Sequence, residues 1–195
     1  MTSLSLSRIT INIGVFLFIC SFPVQADIRN ALLIGNGDYA ISALPNATSE
    51  VEAISSVLKD ADFRVIESHD ENLSDIRTKF REFAKRISAS KGPAFFYYVG
   101  HSIQFKDINY LLPSAAVPDR AISLNVLLEY MDDAKNSVNI VILNTPYSLP
   151  FEEGKLSPKT GLAPIDGPPG SFIVFSTKPG TLASSPKNDK HGFGD

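Results

Sequence analysis

The sequence holds one cysteine, no tryptophan, two methionines and three histidines in 195 residues. A single cysteine cannot close an internal disulfide, and three histidines with one thiol cannot build a cysteine-rich structural zinc site. Basic charge is also short. Lys and Arg number 18 against 21 Asp and Glu, for a formal net charge of −3, so there is no cationic surplus to hold a polyphosphate backbone and nucleic acid is not an expected partner. Gly35 and Gly37 lack the third glycine of a dinucleotide fingerprint. The acidic pairs Asp70-Glu71, Asp132-Asp133 and Glu152-Glu153 lack the spaced oxygen ligands of a calcium loop, so neither a metal nor a cofactor is expected. What stays open is the lone thiol, Cys20, as a nucleophile.

Its position decides the question. Arg8 is followed by an apolar stretch from Ile9 to Cys20, broken by Thr10 and Asn12, and then by Ser21-Phe22-Pro23-Val24-Gln25-Ala26. This predicts a secretory signal peptide over residues 1–26, cleaved after Ala26. The stretch is shorter than the roughly 20 apolar residues of a membrane-spanning helix, so no stable membrane anchor is expected after cleavage. Ile19 stands where a lipoprotein signal needs a small residue before its cysteine. Export to a periplasm or beyond, of a chain beginning at Asp27 and without cysteine, follows as the expectation.

The rest reads as one domain over 27–195. Ala31-Leu32-Leu33-Ile34 is a short apolar run ending in Gly35-Asn36-Gly37-Asp38, a strand buried on both faces followed by a turn. Ser49 and Glu52 form a capping-box pattern ahead of Val51, Ile54, Val57, Leu58 and Ala61, predicting a helix over 49–61. Phe63–Ile66 is a second strand. Asn72 with Asp75 opens a longer helix with Ile76, Phe80, Phe83, Ala84 and Ile87 on one face. Gly92-Pro93 breaks it before the aromatic strand Ala94–Val99, which stops at Gly100-His101-Ser102. A small hairpin over 103–112, a helix capped by Ser123, and strands over 138–143 and 171–176 complete the pattern. Residues 147–170 read as a long surface loop, and 184–195 as a mobile end. Strands alternating with helices predict an α/β fold with a mainly parallel sheet of about five strands and helices on both faces. Sites on such sheets lie beyond the carboxyl ends of the strands. That edge holds Gly35-Asn36-Gly37, Gly100-His101-Ser102 and Asn144-Thr145-Pro146, and His101 is its most notable ionisable group.

Ala31–Asn36, Leu44-Pro45-Asn46, Phe96–His101, Asn109–Pro113, Asn139–Leu143, Gly161–Asp166 and Pro179–Ser184 together resemble the bacterial caspase-like cysteine peptidases, relatives of caspases and metacaspases. The resemblance covers nearly all of the chain after residue 26 and implies a caspase-like three-layer fold. It makes His101 the general base and puts a Cys nucleophile, within Asp-Ala-Cys, at the position of Pro146. Proline has no side chain able to attack and no N–H to serve as an oxyanion donor. The second oxyanion amide falls on Ser102, where Gly is usual, and the specificity-pocket Asp falls on the neutral Asn144. Relatives continue with a further helix and strand beyond the match to Pro179–Ser184, which a chain stopping at Asp195 is expected to lack.

The leading expectation is therefore an exported pseudo-peptidase that acts as a peptide- or protein-binding, regulatory module. A truncated or decaying remnant of a cysteine endopeptidase is the alternative. A hydrolase in which His101 activates Ser102, Thr145 or Ser148 is a second.

Overall fold

The computed structural model describes residues 27–40, 42–114, 121–145 and 161–176. The expected signal peptide (1–26), Pro146, Ser148, the first part of the expected 147–170 loop and the C-terminal end lie outside the described residues. Chain order runs β1 (Arg29–Gly35), α1 (Ala47–Asp60), β2 (Phe63–His69), α2 (Leu73–Ser90), β3 (Ala94–Val99), β4 (Ser102–Phe105), β5 (Ile108–Leu111), β6 (Ile122–Ser123), α3 (Leu124–Ala134), β7 (Asn139–Asn144) and β8 (Ser171–Phe175). The main sheet has the order β2-β1-β3-β7-β8, parallel throughout. After β1 the chain first moves to one side, to β2, and then returns to place β3 on the other. The crevice between the carboxyl ends of β1 and β3 is therefore the topological switch point, where α/β sheets open a site.

Strand alternation sorts the core into two layers. Ala31, Leu33, Tyr97 and Val99 face α1, packing on Ala47, Val51 and Leu58. Leu32, Ile34, Phe96, Tyr98, Val141 and Leu143 face α2 and α3, meeting Ile76, Phe80, Phe83, Ile87, Leu127 and Met131. Both faces of β1 are covered, which is why its sequence is a continuous apolar run and not an alternating one.

Helix ends show where side chains set boundaries. Asn72 caps α2, its Oδ1 accepting from the amides of Ser74 (2.8 Å) and Asp75 (3.2 Å), and Ser123 caps α3 through the amide of Asn125 (3.2 Å). The expected capping box at Ser49 is a correction. Helix α1 starts two residues earlier, at Ala47, with Asn46 in the cap position, and Ser49 Oγ donates back to the Asn46 carbonyl (2.9 Å). Strand β2 also runs three residues further than expected, through Glu67-Ser68-His69, paired with Leu33, Ile34 and Gly35 of β1.

The hairpin turns at Lys106-Asp107, both with positive φ (51° and 61°), as a two-residue turn of the primed kind requires. It gains a third strand, β6, which extends it into a small sheet of order β4-β5-β6. The surface-loop expectation fails at its far end. Leu162 and Ala163 are buried, because Asn109 clamps Ala163 in both directions, Nδ2 donating to its carbonyl (2.9 Å) and Oδ1 accepting from its amide (2.8 Å).

Candidate active site at the carboxyl edge of the sheet

The three segments singled out at the strand ends converge. Gly35, Val99 and Asn144 stand in register across β1, β3 and β7, the amide of Asn36 donates to Val99 O (2.9 Å), and that of Gly100 to Asn144 O (3.3 Å). His101 therefore emerges between the ends of β1 and β7, and it is fully buried. Its Nε2 lies 2.6 Å from the carbonyl oxygen of Ser42, in the segment after β1. A carbonyl can only accept, so Nε2 supplies the hydrogen of this contact. Ser42 offers that carbonyl from a left-handed backbone (φ 61°), a conformation a non-glycine residue holds only where its surroundings enforce it.

Two tyrosines fix the backbone under the imidazole. The Tyr39 hydroxyl accepts from His101 N–H (3.0 Å), and its ring lies against the imidazole with centroids 4.3 Å apart. The Tyr98 hydroxyl is 2.6 Å from His101 O. Both hydroxyls also reach the Leu112 carbonyl at 2.9 Å, which takes a further bond from Asn36 Nδ2 (3.0 Å). Burial pushes Tyr39 up to about 12 and holds Tyr98 well above the ordinary tyrosine value, so both keep their protons at neutral pH. Gly100 is required by this packing: a Cβ there would sit 2.6 Å from the Tyr98 hydroxyl and 2.8 Å from that of Tyr39. From the end of β2, Asp70 Oδ1 accepts from the amides of Gly37 (2.6 Å) and Asp38 (2.7 Å) and so holds the loop that carries Tyr39.

Ser102 begins β4 and is buried. Leu112 N donates to His101 O (3.0 Å), so by antiparallel alternation the next pair, Ser102 and Leu111, is a non-hydrogen-bonded one, and the Ser102 amide points away from β5. Asn144 closes β7, also buried. Its Nδ2 donates to Glu50 Oε2 (2.8 Å) and approaches the Tyr97 hydroxyl (3.3 Å), which itself donates to the same Glu50 oxygen (2.9 Å). Burial raises Tyr97 beyond the usual tyrosine range, with the Glu50 charge adding to it. The Glu50 carboxyl group therefore stands beside the neutral Asn144.

The structure thus brings together His101, Ser102 and Asn144, and leaves Pro146 outside the described residues. The sequence reading missed Tyr39, Ser42, Glu50 and Tyr97. Two signals were available: Glu50 is the one acid in the first turn of α1, and Tyr97 shares strand parity with Val99, on the α1 face. Among the described residues, no group of three His, Cys, Asp or Glu side chains is placed to hold a metal ion.

No curated protein matches the chain in sequence. Among solved structures, the crystal structure of the Drosophila initiator caspase Dronc superposes with a TM-score of 0.57 at 7% identity, a likeness of fold that covers 80% of this chain and 58% of Dronc. The chain therefore spans less than two thirds of that protein. A family model described as the caspase domain matches residues 28–192. A parallel sheet with a buried histidine at its switch point, the Dronc-like course of the backbone and a family match along almost the whole described chain lead to one assignment: the chain belongs to the caspase-domain family.

Proposed function

We propose that this caspase-domain protein is exported, has no peptidase activity, and holds an extended peptide or partner segment across the strand ends at His101, Ser102 and Asn144. The observation that carries the reading is the sequence itself: β7 ends at Asn144, whose carbonyl takes the amide of Gly100 next to His101, and the residues that follow are Thr145 and Pro146. Where the family resemblance puts a nucleophilic thiol, proline supplies neither an attacking atom nor an oxyanion N–H. Loss of one such donor alone removes about 10²- to 10³-fold in rate. His101 stands at the position of the family's base, where the sequence leaves it no thiol to act on. The Ser102 amide, aimed away from β5, is free of ladder duty and can donate to a ligand carbonyl. The Glu50 carboxylate, next to Asn144, gives the edge a negative charge suited to a basic side chain.

The test uses the protein recovered from its exporting cells, with an N-terminus expected at Asp27. It is mixed with a fluorogenic peptide series carrying Arg, Lys, Asp or Leu before the scissile bond, and both hydrolysis and fluorescence anisotropy are followed. No hydrolysis is expected from wild type or His101→Ala. Saturable binding is expected for the Arg and Lys peptides, weakened about fivefold or more by Glu50→Gln. Turnover that disappears in His101→Ala would overturn the pseudo-peptidase reading in favour of a Ser or Thr hydrolase. Absence of binding by the whole series would overturn the binding module and favour a decaying remnant.

A further inference from the structure

A second concavity lies between α2 and α3, apart from the His101 edge and sharing no residue with it. It measures about 410 Å³ and is lined by Arg77, Phe80 and Arg81 of α2, Val126 and Tyr130 of α3, and Tyr110 of β5. That size lies within the range of pockets that take small molecules, and the walls mix apolar surface with a few polar groups as such pockets do.

Its electrostatics run against those of the chain. The protein is acidic overall, yet this pocket is lined by two arginines one helical turn apart and by no acidic residue among the described residues. Arg86, further along the same helix, is neutralised by Glu82 at 2.7 Å. Arg77 makes no ion pair among the described residues, and Arg81 donates to a neutral group, Thr78 Oγ1, at 3.1 Å. Two like charges at this spacing repel and cost the helix a few tenths of a kcal/mol. The start of α3 adds to the positive potential: Ser123 lines the pocket, and the first turn of α3 contains no acid to offset the positive end of its dipole. Three positive contributions thus meet beside an aromatic wall, and a bound anion would compensate all three. Paired arginines suit a planar carboxylate or a phosphate, each of which accepts two parallel N–H bonds.

We infer that this pocket is a binding site for a small anion, a carboxylate or phosphate carried on an aromatic or compact apolar body that packs against Tyr110, Val126 and Tyr130. The test titrates the full exported chain, by calorimetry, with phenyl phosphate, 3-phenylpropionate, inorganic phosphate and benzyl alcohol. At least one of the two aryl anions is expected to saturate with a Kd about tenfold or more below that of inorganic phosphate, and benzyl alcohol to show no saturable binding. The aryl anion that binds more tightly identifies the head group. The double variant Arg77→Gln, Arg81→Gln changes two exposed side chains and is expected to fold normally, while weakening the bound anion about tenfold or more. If neither aryl anion saturates, if inorganic phosphate binds as tightly as both, or if the double variant binds as well as wild type, the inference fails. His101→Ala, which alters the other site, is expected to leave this binding unchanged, so failure of the peptide-binding proposal and failure of this one are read separately.

Discussion

At the scale of single residues, the candidate site depends on hydrogen bonds that have no sequence signature of their own. Tyr39 is the clearest instance. Its hydroxyl is the acceptor for the buried N–H of His101 and, with Asn36 Nδ2, a donor to Leu112 O. Tyr39→Phe leaves the Leu112 carbonyl served by Asn36 but removes the acceptor of the His101 amide. An unsatisfied buried donor costs about 1–3 kcal/mol, so urea unfolding is expected to show a loss of that size with an unchanged m value. A change under about 0.5 kcal/mol would mean that the amide finds another partner. His101 and Asn144 were legible in the sequence because each closes an apolar run that can only be a strand. Glu50 was not, since its partner Asn144 lies 94 residues away and the bond exists only once α1 is laid across the sheet.

Elements were legible to the extent that one face of each is uniformly apolar. Strands β1 and β3, buried on both sides, read as unbroken hydrophobic runs, and α2 shows a clean stripe from Ile76 to Ile87. The second half of β2 did not, because an edge strand needs only one neighbour and tolerates Glu67, Ser68 and His69. Strand β6, two residues long, is too short to carry any period. Helix ends are also set by backbone conformation, and here the residues are not the optimal ones. Both α2 and α3 end on a lysine in the left-handed region, Lys91 (φ 59°) and Lys135 (φ 53°), where glycine is preferred. The two differ in what else they do. Lys91 Nζ reaches the Ala134 carbonyl (2.7 Å) and ties the end of α2 to that of α3. Lys135 makes an exposed ion pair with Asp132, of the class that contributes little. Lys135→Gly is therefore expected to raise stability by about 0.5–1 kcal/mol, and Lys91→Gly to gain nothing or lose, because the backbone relief is offset by the lost tie. Chemical denaturation of the pair measures the contrast, and a destabilised Lys135→Gly would contradict it.

For the molecule as a whole, the two faces of the sheet are held at its carboxyl edge by tyrosines pointing in opposite directions. Tyr97 faces α1 and bonds Glu50, while Tyr98 faces the α2 layer and joins Tyr39 beneath His101. Burial raises all three above the ordinary tyrosine value of 10, Tyr39 to about 12. The unfolded chain releases these protons near pH 10, whereas the folded chain retains them. Above that pH the unfolded state binds fewer protons than the native one, so stability falls as pH rises. The contribution is fully present below pH 10 and, for Tyr39, is lost between 10 and about 12, with a slope approaching 1.4 kcal/mol per pH unit for each tyrosine so held. Because the three share one unfolded value, their losses begin together. The urea midpoint is expected to be insensitive to these groups up to about pH 9 and to drop steeply above 10. Of the six tyrosines, these three are expected to develop tyrosinate absorbance at 295 nm only as the protein unfolds. Titration of all six near pH 10 with circular dichroism unchanged would show that the edge admits water and that Tyr39 does not hold His101 as described.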